Sequence, residues 1–207
     1  MTERSELWRA RGVRLAGLAA GACFLLALGG FGAALDGYDQ LRHPVALPGA
    51  EGVPRATLFN LLAYVMPGLL AGLVVLRRRS ALGAGARLSA RLGWTIALLA
   101  ALAFAAQGIW PLEASGPDNG AGRLHGVAWG LWVVAFTAAA AALSFSALRV
   151  RRLPAVLGHS AAGAAVFALA WLAGDALPAA LSQRAAFACW FVWLACVGWS
   201  GGARAGS

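Results

Sequence analysis

At 207 residues, with 60% hydrophobic and 12% charged side chains and a positive mean hydropathy, the chain is too apolar for a soluble domain, where about a quarter of residues carry charge. Its net charge of +9 comes from 17 basic residues, all arginine, against 8 acids. These arginines sit between apolar runs, so they mark membrane topology and exclude a nucleic-acid-binding reading.

The absence of lysine beside so much Ala, Gly and Arg suggests a GC-rich coding sequence and hence a bacterium. Cys23, Cys189 and Cys196 all lie within apolar runs, where a thiol behaves as a small hydrophobe, so neither a disulfide framework nor a metal site is implied.

In chain order, residues 1–14 are polar, basic and expected in the cytoplasm, carrying Arg4, Arg9, Arg11 and Arg14. Residues 15–35 then run without a charge, about 32 Å of helix, which spans a bilayer. A secretory leader shares the basic start, but its apolar stretch is about 7 to 15 residues long and ends at a cleavage site of small residues. A retained first helix is therefore expected.

Five further spans follow at 58–76, 92–109, 124–148, 155–173 and 181–199, leaving 200–207 as a cytoplasmic tail. The last span takes Gln183 and Arg184 into its outer turn, where arginine can reach the headgroups. The expected fold is all-α: one transmembrane domain, 15–199, built as a six-helix bundle.

Six spans put both termini on one side. Thirteen arginines fall on that side and 4 on the other, so the positive-inside rule places both termini in the cytoplasm and the chain in the inner membrane. The run Arg77, Arg78, Arg79 reads first as a topology marker and second as a contact for anionic lipid or a partner. Acids divide the other way: Asp36, Asp39, Glu51, Glu113, Asp118 and Asp175 fall outside, and Glu3 and Glu6 inside.

Pro154 opens the fifth helix, where its missing N–H costs nothing. Pro67 sits mid-span and frees the carbonyl of Ala63, which predicts a kink. Small residues four apart, at Gly17 and Gly21, Gly68 and Gly72, and Gly122, Gly126 and Gly130, let helix backbones approach. The triple is the set most expected to meet another helix.

No central turn of a span contains Asp, Glu, Lys or Arg, which argues against an ion-driven pump. Polar chemistry concentrates in residues 107–130, QGIWPLEASGPDNGAGRLHGVAWG, and at the neighbouring outer ends. The candidate ligand-binding residues are His125, Asp118, Glu113, His43, Asp39, Asp36 and Arg184, with Asn60, Tyr64 and Trp129 beside them. His159 stands by itself near the inner end of helix five and reads as structural.

Brought together, the outer groups would form a shallow site centred on His125. Such a site binds a small ligand or lipid headgroup, or, with His125, Asp118 and Glu113 as catalytic groups, hydrolyses a lipid-like substrate. Against both stands the plainer reading, solvated loop residues with His125 capping or packing at a helix start. No HExxH pattern or close ligand spacing is present, so neither a metal nor a cofactor is expected.

The segment LRHPVALP at 41–48, the aromatic-proline pair Trp110 and Pro111, the spacing of Asp118 to His125, and SQR at 182–184 together resemble the bacterial six-helix membrane family catalogued as domain of unknown function 998. The likeness covers about residues 15–199. It departs after Pro111, where Leu112 and Glu113 stand in place of an immediate Asp. The resemblance implies an integral membrane protein with an outer His and acid patch, and no established activity.

The expected function is therefore binding of a lipid headgroup or small ligand, in transport, sensing or membrane homeostasis. The alternatives are a membrane-embedded hydrolase and a helix-packing subunit, whose partner is another membrane protein or a second copy of the chain.

Overall fold

The computed structural model describes residues 3–113, 120–174 and 176–200. Six helices cover the six apolar runs: α1 Glu3–Ala33, α2 Ala56–Ser80, α3 Leu88–Ile109, α4 Gly120–Leu148, α5 Leu153–Leu172 and α6 Ala179–Ser200. Each has a stretch long and apolar enough to cross a membrane, and no strand occurs among the described residues. In lipid every backbone polar group must be satisfied within the fold, which an all-helical multi-pass chain achieves.

Each helix packs on its neighbour in sequence, and α6 returns to α1, so the bundle is a closed ring. Glycines set the closest approaches. A Cβ on Gly17 would stand 3.0 Å from the Leu194 carbonyl, and one on Gly198 would stand 3.1 Å from that of Val13. The two pairings run in opposite senses along the chain, so α1 and α6 are antiparallel and the chain enters and leaves the bundle at the same end.

Between α2 and α3 the fit is tighter still. A Cβ on Gly68 would lie 2.6 Å from that of Ala105 and 2.9 Å from the Ala101 carbonyl oxygen. Gly21 and Gly72 also lie in contact range, of Phe191 and Leu98.

The glycine triple of α4 behaves differently. Gly122 is buried, but Gly126 and Gly130 would meet nothing within 4 Å if given a Cβ. The expectation that this face meets another helix of the chain is corrected: the buried face of α4 carries His125, Ala128, Trp132 and Phe136. These residues recur at three- and four-residue spacing, and Gly126 and Gly130 fall outside that stripe.

A ring of six helices leaves a central space that alanine cannot fill. Aromatic side chains fill it. Phe104 is the hub, with Trp190 at 4.5 Å, Phe187 at 5.2 Å, Tyr64 at 5.5 Å and Trp132 at 6.1 Å between ring centroids. The alanines lie between helices, where small size permits close contact.

Pro67 has its effect one turn earlier. Residues Leu61–Val65 form a π-helical turn, in which the Met66 N–H reaches back five residues to the Leu61 carbonyl, a usual response where a ladder donor is missing.

Helix α5 is the least enclosed. The chain buries 11% of its apolar window, against 39% to 56% for the other five.

Candidate functional site

The end of the bundle that carries the first connection is built from two capping arrangements and that folded connection. At its C-terminus, α3 leaves carbonyls without helical partners, as every helix does. In a continued helix, the Gln107 carbonyl would accept from residue 111, but residue 111 is proline and has no N–H. His125 supplies the donor. Its Nδ1 lies 3.0 Å from both the Gln107 and Trp110 carbonyl oxygens, and because both are acceptors, Nδ1 carries the proton.

The same crossover is tied in reverse. The Glu113 carboxylate accepts from the Ala121 N–H at 3.3 Å, in the first turn of α4, where a negative charge is favoured. Histidine and acid in residues 107–130 therefore cap each other's helices. The side chain of Gln107 is fully buried and makes no hydrogen bond with a described residue; its contribution here is its carbonyl.

A test follows from Pro111. His125→Ala is expected to cost about 1 to 3 kcal/mol, the penalty for buried carbonyls left without a donor. Adding Pro111→Ala supplies an N–H that reaches the Gln107 carbonyl if α3 extends through Trp110, whose backbone is extended in the wild type, and should recover part of that loss in thermal unfolding. An additive double mutant would refute the capping role.

The first connection, residues 34–55, folds down onto the ring. Val45, Ala46 and Ala50 are buried in it, and Leu47–Gly49 forms a single 3-10 turn. Arg184, in the first turns of α6, holds it there. Its guanidinium donates to Gln40 Oε1 at 2.9 Å, to the His43 carbonyl at 3.0 Å, to the Ala180 carbonyl at 2.8 Å and to the Tyr38 hydroxyl at 2.7 Å.

Neighbouring Gln183 accepts the Val45 N–H at 3.0 Å. Burial pushes the Tyr38 phenol above its usual range, partly offset by Arg184, so it stays neutral and donates in turn to Pro44. The stretches 41–48 and 182–184, singled out separately in the sequence, thus meet in space.

Of the other candidates, His43 stacks on Tyr38 at 5.8 Å, and its Nδ1 accepts the Asp39 backbone N–H at 2.8 Å. The Asp39 carboxylate is engaged by Leu41 N–H and by Arg42, not by His43, so the two form no Asp–His dyad. Asp36 is exposed, while Asp118 and Asp175 lie outside the described residues.

Tyr64 is buried, with its ring edge-on to His125 at 6.0 Å, and Trp129 packs on Phe187 at 5.1 Å. The sequence placed these two aromatics beside the candidate ligand-binding residues. Here their neighbours are the core aromatics Phe104, Trp132 and Phe187. His125 and Glu113 therefore belong to the α3–α4 crossover and Arg184 and His43 to the assembly on the first connection, with no single site joining them. No three His, Cys, Asp or Glu side chains among the described residues are placed to hold a metal ion.

A cavity of ≈ 440 Å³ opens beside these assemblies, between the first connection, the start of α2 and the end of α3. Its lining includes Glu51, Arg55, Thr57, Asn60 and Gly108. Asn60 is buried and anchors one wall, donating to the Gly49 carbonyl at 2.9 Å. The Glu51 N–H fixes another part, donating to Leu112 at 2.9 Å.

Arg55 stands at φ 64°, in the left-handed region that non-glycine residues seldom occupy. Glu51 and Arg55 were visible in the sequence merely as outer charges. No local motif marks them, because their shared cavity depends on how the connection folds.

The fold is that of a six-helix, multi-pass membrane protein covered at one end by its own first connection. No family model, no curated protein and no solved structure matches the chain.

Proposed function

We propose that the chain is a non-enzymatic protein of the bacterial cytoplasmic membrane, with both termini inside, whose outer end binds a zwitterionic lipid headgroup or small zwitterion. The observation that carries this reading is the ≈ 440 Å³ cavity lined by both Glu51 and Arg55, which form no ion pair with each other. A ligand bearing an ammonium and a phosphate or carboxylate satisfies both charges at once, whereas a singly charged ligand leaves one facing its like.

The volume falls in the usual range for small-ligand sites, about 300 to 1,000 Å³. The excess of arginine at the end where the chain enters and leaves supports the orientation. The prior engagement of His125, His43 and Asp39 in backbone contacts favours binding over chemistry. The likeness to the six-helix family of unknown function is part of the same proposal.

Glycerophosphoethanolamine, the water-soluble form of a zwitterionic headgroup, is the probe, with binding to the purified protein followed by calorimetry. Saturable binding is expected, weakened about tenfold or more by Arg55→Gln or by Glu51→Gln, as the loss of a charge-assisted contact implies. Equal binding of glycerol 3-phosphate, or an unchanged affinity in Glu51→Gln, would sink the zwitterion. Release of free ethanolamine during the titration would establish a hydrolase instead.

A further inference from the structure

A second cavity, of ≈ 630 Å³, lies at the opposite end of the bundle from the outer assemblies, on the side of α5 and α6. It is a slot between these two helices. Pro154, Gly158, Ala162 and Ala165 form one wall, Cys189, Val192 and Cys196 the other, and Arg78 of α2 closes one end. The small side chains of α5 open it, and this is the helix that the chain leaves least covered.

Its length is informative. On α5 the lining runs from Pro154 to Ala165, about 16 Å of helix. One leaflet of a bilayer, half of a hydrocarbon core of about 30 Å, has the same depth. The slot thus extends from the helix ends, where headgroups lie, to about the middle of the membrane.

The wall is apolar and the end is not. Arg78 is half-buried, with its guanidinium carbon 5.6 Å from the centre of the Trp94 ring, and it makes no hydrogen bond or ion pair with a described residue. Arg152 stands at the N-cap position of α5, next to the helix start that lines the slot, and makes no side-chain cap hydrogen bond. His159 lines the slot, and its Nδ1 accepts the Trp193 indole N–H at 2.9 Å, so a neutral ring carries its proton on Nε2. An apolar slot one leaflet deep, with the Arg78 cation at its mouth, complements a hydrocarbon chain that ends in an anion.

We infer that this slot holds one acyl chain of an anionic phospholipid, with its phosphate seated at Arg78. The chain's own thiols report on it. Cys189 and Cys196 line the slot, whereas Cys23, on α1, is engaged with the Leu62 carbonyl at 3.1 Å and serves as an internal control.

The experiment measures alkylation of Cys196 by a small maleimide in the full-length protein. The protein is stripped of lipid and returned to nanodiscs of phosphatidylcholine with increasing phosphatidylglycerol. Phosphatidylglycerol is expected to slow Cys196 alkylation at about a fivefold lower mole fraction than a second zwitterionic lipid, the factor that ~1 kcal/mol for one arginine provides. Cys23 should not respond.

Arg78→Gln should abolish the preference. Gly158→Leu, whose side chain enters open space, should slow the reaction in every lipid and remove its dependence on composition. Equal protection by anionic and zwitterionic lipid in the wild type, or an unaltered preference in Arg78→Gln, would overturn the proposal. Protection that follows protein concentration and ignores lipid would also overturn it, in favour of a second copy of the chain.

Discussion

Arg184→Gln is expected to destabilise the purified protein by about 3 kcal/mol, from the loss of several hydrogen bonds to a charged donor and the stranding of their acceptors. The guanidinium joins Gln40, His43, Tyr38 and its own helix, and a glutamine amide reaches at most a part of that set. Lysine keeps the charge but not the planar fork, so Arg184→Lys should fall between.

Arg42→Gln is the control. Its contact with Asp39 is 3.6 Å long and its side chain is 84% exposed, so its loss should cost under about 1 kcal/mol. Thermal unfolding and protease cleavage within residues 34–55 provide the readouts. If Arg184→Gln is no worse than Arg42→Gln, the connection is not held by Arg184.

The second large effect separates two glycines. Gly68→Ala is expected to cost about 1 to 3 kcal/mol, because its Cβ would press on the backbone of Ala101 and Ala105, which a rotamer change cannot relieve. Gly126→Ala places the same methyl in open space on α4 and should be neutral or stabilising by up to about 1 kcal/mol through helix propensity. Loss of stability in Gly126→Ala would show that this face meets something the chain does not itself supply. Equal thermal midpoints for the two variants would contradict the packing described between α2 and α3.

The helices were legible because length and hydropathy are local properties: each apolar run of sufficient length became a helix. Which face turns inward was harder to read. Every helix here is apolar nearly all round, so the amphipathic stripe that orients a soluble helix is missing, and a glycine triple in α4 looked more like an interface than Gly68 did.

The role of His125 was partly legible. Capping was one of the readings the sequence offered, and Pro111, four residues after Gln107, is the local signal that a carbonyl there needs another donor. The Arg184 assembly was not legible, since its members share no spacing and come together through the ring. Glu51, Arg55 and Arg78 were noticed merely as charges of a given side, because their value lies in the cavities they line.

The ring closure also bears on the order of synthesis. Arg184 meets Tyr38, Gln40 and His43 across 141 to 146 residues, and Gln183 meets Val45 across 138. The connection that emerges first from the ribosome therefore waits for the last helix before its fold is complete. Until then its backbone groups must be satisfied by water or by the insertion machinery, and a nascent chain stalled after α5 carries an unfinished cover at that end of the bundle. Assembly of this protein is thus gated by its final helix, although most of its helix contacts form between neighbours as they are made.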